Sequence, residues 1–126
     1  MVHDALHQLD LDAVEIETGP ATRFQPTPAL LADAGPLDGV LVASPANPTG
    51  TMIDRDAMEA LVGFCAERGI AFISDEIYHG ITYDDAGVSA LELTDEVIVI
   101  NSFSKYHAMT GWRIGWMVVP DRFARV

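Results

Sequence analysis

GVLVASPANPTGTMIDRDAMEALVGFCAERGIAFIS, residues 39–74, holds the pattern that decides the fold. It opens with GVLVAS (39–44), a nearly continuous apolar run of strand length. The SPANPTG that follows (44–50) has two prolines and a glycine, which forbid further regular structure. Asp54 has the side chain of a helix N-cap, and the spacing predicts a helix over 55–68 with Met58, Leu61, Val62 and Cys65 on one face. Gly69 ends that helix. IAFIS (70–74) is a second apolar strand, broken off by Asp75-Glu76. Strands without a wet face, alternating with helices, belong to an α/β fold: a mostly parallel sheet with helices on both faces.

Working outward, VIVIN (97–101) and IGWMVV (114–119) are two more strands, the last stopped by Pro120. Residues 80–95 read as loop with a short turn. Upstream, Thr27 caps a helix over 28–34, with Pro28 in its first position and Gly35 past its end. Residues 18–28, rich in Gly, Pro and Thr, are loop, AVEIE (13–17) alternates like a strand with one wet face, and residues 3–9 suit a short helix. The pattern starts and stops mid-unit, with only the beginning of a helix after Pro120. The 126 residues therefore read as an incomplete part of a larger domain.

Composition narrows the function. Apolar residues make up 49%, as in a folded globular chain, and 19 acidic against 7 basic residues give a net charge of -12. That charge argues against nucleic acid or an anionic membrane as partner, but not against a small anion held by a few donors. Cys65 is the only cysteine, which excludes an intrachain disulfide and favours a reducing compartment. Its place in an apolar helical pattern fits a buried structural thiol. With no leader-like opening and no apolar run of membrane-spanning length, a cytoplasmic protein is expected.

In open α/β sheets, ligands bind beyond the carboxyl ends of the strands. Here the first strand leads to Asn47, the second to Asp75 and Tyr78, and the third to Ser102, Ser104 and Lys105; Arg113 precedes the last strand. If the sheet is parallel, the first three groups share one edge. A partly desolvated lysine loses its proton and condenses with carbonyls. A carboxylate keeps a pyridine nitrogen protonated, two hydroxyls and a guanidinium suit a phosphate dianion, and a phenol with an amide suits a ring hydroxyl. Singly, each residue also has a plain structural reading as turn, cap or surface charge. As a set they match pyridoxal 5'-phosphate better than any other common cofactor.

The segments SPANPTG (44–50), SDEIYHGITYD (74–84) and SFSKYHAMTGWRIGW (102–116) resemble the three signature segments of the class I/II aminotransferases, of pyridoxal-enzyme fold type I. The likeness runs through most of residues 36–120. It implies catalytic roles for Lys105, Asp75 and Tyr78. Lys105 would hold pyridoxal 5'-phosphate as a Schiff base and shuttle the substrate proton. Asp75 would pair with the pyridine nitrogen, and Tyr78 and Asn47 with the ring hydroxyl. Ser102, Ser104 and Arg113 would hold the phosphate. The resemblance also implies a cis Asn47–Pro48 bond, amino acid and 2-oxo acid substrates, and a homodimer. It makes the chain a partial large domain, without the upstream phosphate-binding turn, the aromatic stacking residue or the small domain with its carboxylate-clamping arginine. On that reading the isolated chain is catalytically inert and prone to aggregate. Two other activities share such a cofactor site, a carbon–sulfur β-lyase and a cyclopropane-carboxylate synthase. An aminotransferase-like sensor domain of a transcription regulator is the non-enzymatic alternative.

Several residues stand outside this set. His3 and His7 have the helical spacing of a metal pair but no third ligand, so a solvated helix face is expected. His79, beside Tyr78, and His107, near Lys105, lie within the site segments, but loop histidines are more often structural. Gly111 and Gly115 form a GxxxG without the apolar span that would make it a membrane motif. Trp112, Trp116 and Met117 are expected in the core or a subunit interface.

Overall fold

A computed structural model describes residues 6–124. Four strands, β1 (Gly39–Ala43), β2 (Ala71–Asp75), β3 (Ile98–Ser102) and β4 (Gly115–Val118), lie side by side in that order. β1, β2 and β3 are parallel, with Ala43 opposite Asp75 and Asp75 opposite Ile100. β4 is antiparallel to β3, with Ser102 opposite Gly115.

Helices α1 (Pro28–Asp33) and α2 (Arg55–Arg68) accompany the sheet. Both begin as their sequences dictate. The Thr27 hydroxyl accepts from the Leu30 amide at 3.3 Å, and the Asp54 carboxyl accepts from the Ala57 amide at 2.9 Å. α2 ends at Gly69, whose φ of +68° is a left-handed value that glycine adopts without a Cβ penalty.

Met58, Leu61, Val62 and Cys65 form the buried stripe of α2 and pack with Leu31, Val40, Val42, Phe72 and Val99 in one core. Each large apolar side chain so buried contributes on the order of 2 kcal/mol. Both helices feed this one cluster. The opposite face of the sheet carries Leu41, still 44% exposed, with Ile73, Ile98 and Ile100 half-buried. The second helical layer that doubly apolar strands require is not supplied within the described residues.

The structure corrects the sequence reading in several places, beginning with strand bounds: β3 covers Ile98–Ser102 rather than 97–101, and β4 Gly115–Val118 rather than 114–119. Residues 13–17 form no strand; Ile16 packs on the core, but Val14 is exposed along with Glu15 and Glu17, so the alternation records neither pairing nor a buried face. The second strand begins at Ala71 rather than Ile70, because the Ile70 amide is spent on Cys65 O in closing α2. Residues 121–123 form one 3-10 turn. Trp112, Trp116 and Met117 are 69%, 40% and 59% exposed, which removes the core alternative for them and leaves the subunit interface. Residues 6–8 are helical, whereas His3 and the remainder of the expected 3–9 helix lie outside the described residues. Among the described residues no helix is long and apolar enough to cross a membrane, and no group of three potential ligands could hold a metal.

Candidate active site

The sheet topology gathers the polar strand ends. Parallel β1, β2 and β3 bring Asn47, Asp75, Tyr78, Ser102, Ser104 and Lys105 to one edge. Because β4 runs back along β3, its first residues lie beside Ser102, and Arg113 joins the same edge. The sequence alone left the position of Arg113 open; the antiparallel return fixes it.

At the end of β1 the Asn47 amide nitrogen donates to the Tyr78 hydroxyl at 3.2 Å. The Asn47–Pro48 bond is cis, as is Ser44–Pro45. The Ser44 hydroxyl is buried and accepts from the Ile53 amide, pinning the turn to the core. At the end of β2 the Asp75 carboxyl accepts from the Ile77 amide at 3.1 Å. The Lys105 amine lies over the Tyr78 ring, 5.6 Å from its centroid. The first and second groups are thus joined by a hydrogen bond, and the second and third by a cation over an aromatic face.

The remaining donors form a second cluster. The Ser102 and Ser104 hydroxyls are 2.9 Å apart, and the Ser104 amide donates to the Ser102 oxygen at 3.0 Å. Thr110 donates to the Ser104 carbonyl, and Arg113 in turn donates to the Thr110 carbonyl at 3.0 Å. Thr110 thus links the Ser104 backbone to Arg113, whose exposed guanidinium has five N–H donors and gives one to the Thr110 carbonyl. A cavity of about 450 Å³ adjoins Asn47 and Tyr78, walled also by Pro45, Met52, Ile81 and Asp84. Another, about 470 Å³, lies at the opposite sheet edge against Val62, Phe72 and Phe123, away from all these groups.

This set fits the cofactor inferred from the residue types. It offers one amine, one carboxyl at the end of β2, a phenol bonded to an amide, and two hydroxyls and a guanidinium of the kind that suit a dianion. The same chain matches the family profile of aminotransferase class I and II over residues 3–126. The chain belongs to that family.

Relatives within the class I and II aminotransferases agree. The chain is 50% identical over 123 residues to valine–pyruvate aminotransferase of Mycobacterium tuberculosis, covering 95% of this chain and 32% of that one. It is 38% identical over 116 residues to aspartate aminotransferase of Thermotoga maritima, covering 86% and 30%. Among solved structures, an aminotransferase from Mycobacterium tuberculosis superimposes with a TM-score of 0.90 at 48% identity over 96% of this chain and 34% of that chain. Aspartate aminotransferase from Thermus thermophilus with maleate gives 0.80 at 35% identity over 86% and 29%. The chain spans about a third of the length of these relatives.

In this member of the family the sequence reading missed a supporting residue, Glu76. It is only 3% exposed. Its carboxyl accepts from the Ser74 hydroxyl at 3.0 Å and the Ala90 amide at 2.9 Å, and faces His79 Nδ1 at 3.5 Å. One buried side chain thus fastens both ends of the loop that follows Tyr78. Strand parity held the signal: Phe72 and Ser74 point into the core, so Glu76 continues that face while Asp75 takes the other.

Proposed function

We propose that this chain is the cofactor-holding part of a pyridoxal 5'-phosphate-dependent aminotransferase, which moves an amino group between an amino acid and a 2-oxo acid. The observation that carries the reading is the Lys105 amine over the Tyr78 ring, with Tyr78 bonded to Asn47, at the shared ends of three parallel strands. When bound, the cofactor supplies a carbonyl for covalent attachment and an electron-withdrawing ring. Lys105 provides the attaching amine and, once free again, moves the substrate α-proton. Asp75 holds a proton on the ring nitrogen, Asn47 and Tyr78 orient the ring hydroxyl, and Ser102, Ser104 and Arg113 hold the phosphate.

The remaining parts of the reading concern the whole protein. The chain is a partial large domain that works with an N-terminal part and a small domain, in a cytoplasmic homodimer. The 50% identity to the valine–pyruvate enzyme, against 38% to the aspartate enzyme, favours an amino donor with an apolar side chain. The test uses the only lysine in the sequence, Lys105. The chain is mixed with pyridoxal 5'-phosphate, reduced with borohydride, digested and mapped by mass spectrometry. Labelling of Lys105 well above that of the urea-unfolded chain, and its loss in Lys105→Ala, is expected. Equal labelling of folded and unfolded chains would remove this chain's cofactor site.

A further inference from the structure

One close contact beside the site serves none of the roles given so far. Gly80 lies two residues after Tyr78 with φ +84°. A Cβ placed on it would stand 2.7 Å from Cδ2 and 2.9 Å from Cε2 of Tyr106, nearer than side chains approach one another. The Tyr106 ring is therefore seated directly on the Gly80 backbone. Tyr106 is the residue next to Lys105, and Gly80 belongs to the turn that presents Tyr78.

Both sides of this contact are braced. The Gly80 turn is closed by His79 N to Glu76 O at 2.9 Å and Ile81 N to Tyr78 O at 3.1 Å, above the buried Glu76 carboxyl. On the other side the Tyr106 ring meets His107 edge-on at 5.0 Å, and His107 meets Phe103 at 5.1 Å. The Ala108 amide bonds back to the Lys105 carbonyl at 3.0 Å. Yet Tyr106 remains 61% exposed, so core burial does not account for its placement. Lys105 is itself exposed on a loop, and its long side chain leaves the amine free to wander unless the backbone beneath it is fixed.

We propose that Tyr106 is a positioning residue for Lys105. Seated on Gly80, its ring sets the lysine backbone against the Tyr78 turn and so holds the amine over the Tyr78 ring. The inference rests on the cofactor reading above but adds a residue pair that the reading does not require. A side chain at position 80 must displace the Tyr106 ring or the turn, and either movement separates Lys105 from Tyr78.

A double-mutant cycle tests it, read by borohydride-trapped pyridoxal 5'-phosphate on Lys105. In trapping, the lysine amine condenses with the aldehyde and releases water, and hydride reduces the resulting C=N bond to a secondary amine. Gly80→Ala is expected to lower labelling about tenfold when Tyr106 is present and at most about twofold in a Tyr106→Ala background. The backbone penalty of φ +84° is common to both backgrounds and cancels. Tyr106→Phe, which keeps the ring carbons, should restore what Tyr106→Ala loses, and melting curves verify that each variant is folded. If Gly80→Ala does not fold, the Ala and Phe variants at exposed position 106 decide alone. Equal losses in both backgrounds, or no difference between the Ala and Phe variants, would overturn the inference while leaving the cofactor reading intact. Wild-type labelling no better than that of the unfolded chain would sink both.

Discussion

Replacing Glu76 with alanine should unfold this chain more readily than any surface substitution, and the size of the effect follows from the bonds it breaks. Glu76 is 3% exposed and takes two donors, the Ser74 hydroxyl and the Ala90 amide, on one oxygen. Ser74 is fully buried and so is Ala90, so water does not reach the donors that Glu76→Ala strands. Each stranded donor costs about 1–3 kcal/mol, giving a loss of about 2–6 kcal/mol for the pair. Domain stabilities are about 5–15 kcal/mol, so this is a large fraction. Glu76→Gln retains an acceptor oxygen at the same reach and should cost about 1 kcal/mol. Urea unfolding followed by circular dichroism reads the difference, about 1–5 kcal/mol, as a midpoint shift of about 0.5–2.5 M at a slope of about 2 kcal/mol/M. Ser74→Ala supplies the cross-check: it should destabilise the wild-type chain but stabilise the Glu76→Ala variant, where it removes a hydroxyl left without its acceptor. Equal midpoints for Glu76→Ala and Glu76→Gln would refute the argument that the carboxyl works by accepting these bonds.

Asp54→Ala should cost about 1 kcal/mol and Asp54→Asn much less, because either oxygen-bearing side chain accepts from the Ala57 amide; thermal unfolding of the three chains checks this. Burial pushes the Cys65 thiol up, opposed in part by the nearby Arg68 guanidinium. The folded chain therefore keeps the Cys65 proton where the unfolded chain loses it, so stability should fall as pH rises through the ordinary thiol range. At about pH 8.5, alkylation by iodoacetamide should be at least about tenfold slower in the folded chain than in urea. β4 is a sheet edge with Trp116, Met117 and Val118 exposed, and the net charge of -12 is what opposes its pairing with another copy. Raising salt to about 0.5 M should increase light scattering, and Met117→Lys should suppress the increase; scattering indifferent to both would remove β4 as the association edge.

Much of the fold was legible because it rests on local chemistry. α2 could be read to the residue, since Asp54, the apolar stripe and Gly69 act within a few positions of one another. The strand-end groups were also legible, because a parallel sheet puts every carboxyl end on the same edge whatever the loops do. What depended on pairing was not. Arg113 reaches the edge only because β4 returns antiparallel, a choice that the apolar run IGWMVV does not encode. AVEIE alternates like a strand, yet only Ile16 reaches the core and Val14 is exposed, because no neighbouring strand offers hydrogen bonds to hold the segment flat on the sheet. For Trp112 and Trp116 the sequence left core and subunit interface open, since an apolar side chain suits either, and their exposure removes the core. Glu76 looked like the partner of Asp75 in a polar break, whereas strand parity sends the two carboxyls to opposite faces.

The antiparallel return of β4 also divides the site by folding time. Ser102, Ser104, Lys105 and Arg113 all lie on or between β3 and β4, so their half can close as one short loop. Asn47 and Tyr78 come from β1 and β2, whose pairing with each other and with β3 must await long crossovers, one containing α2 and the other spanning residues 76–97. Contacts between distant parts of a chain form more slowly than local ones. A refolding chain would thus possess its hydroxyl and guanidinium cluster before the amide and phenol arrive, and the contact of Lys105 with Tyr78 would mark the moment at which the two halves meet.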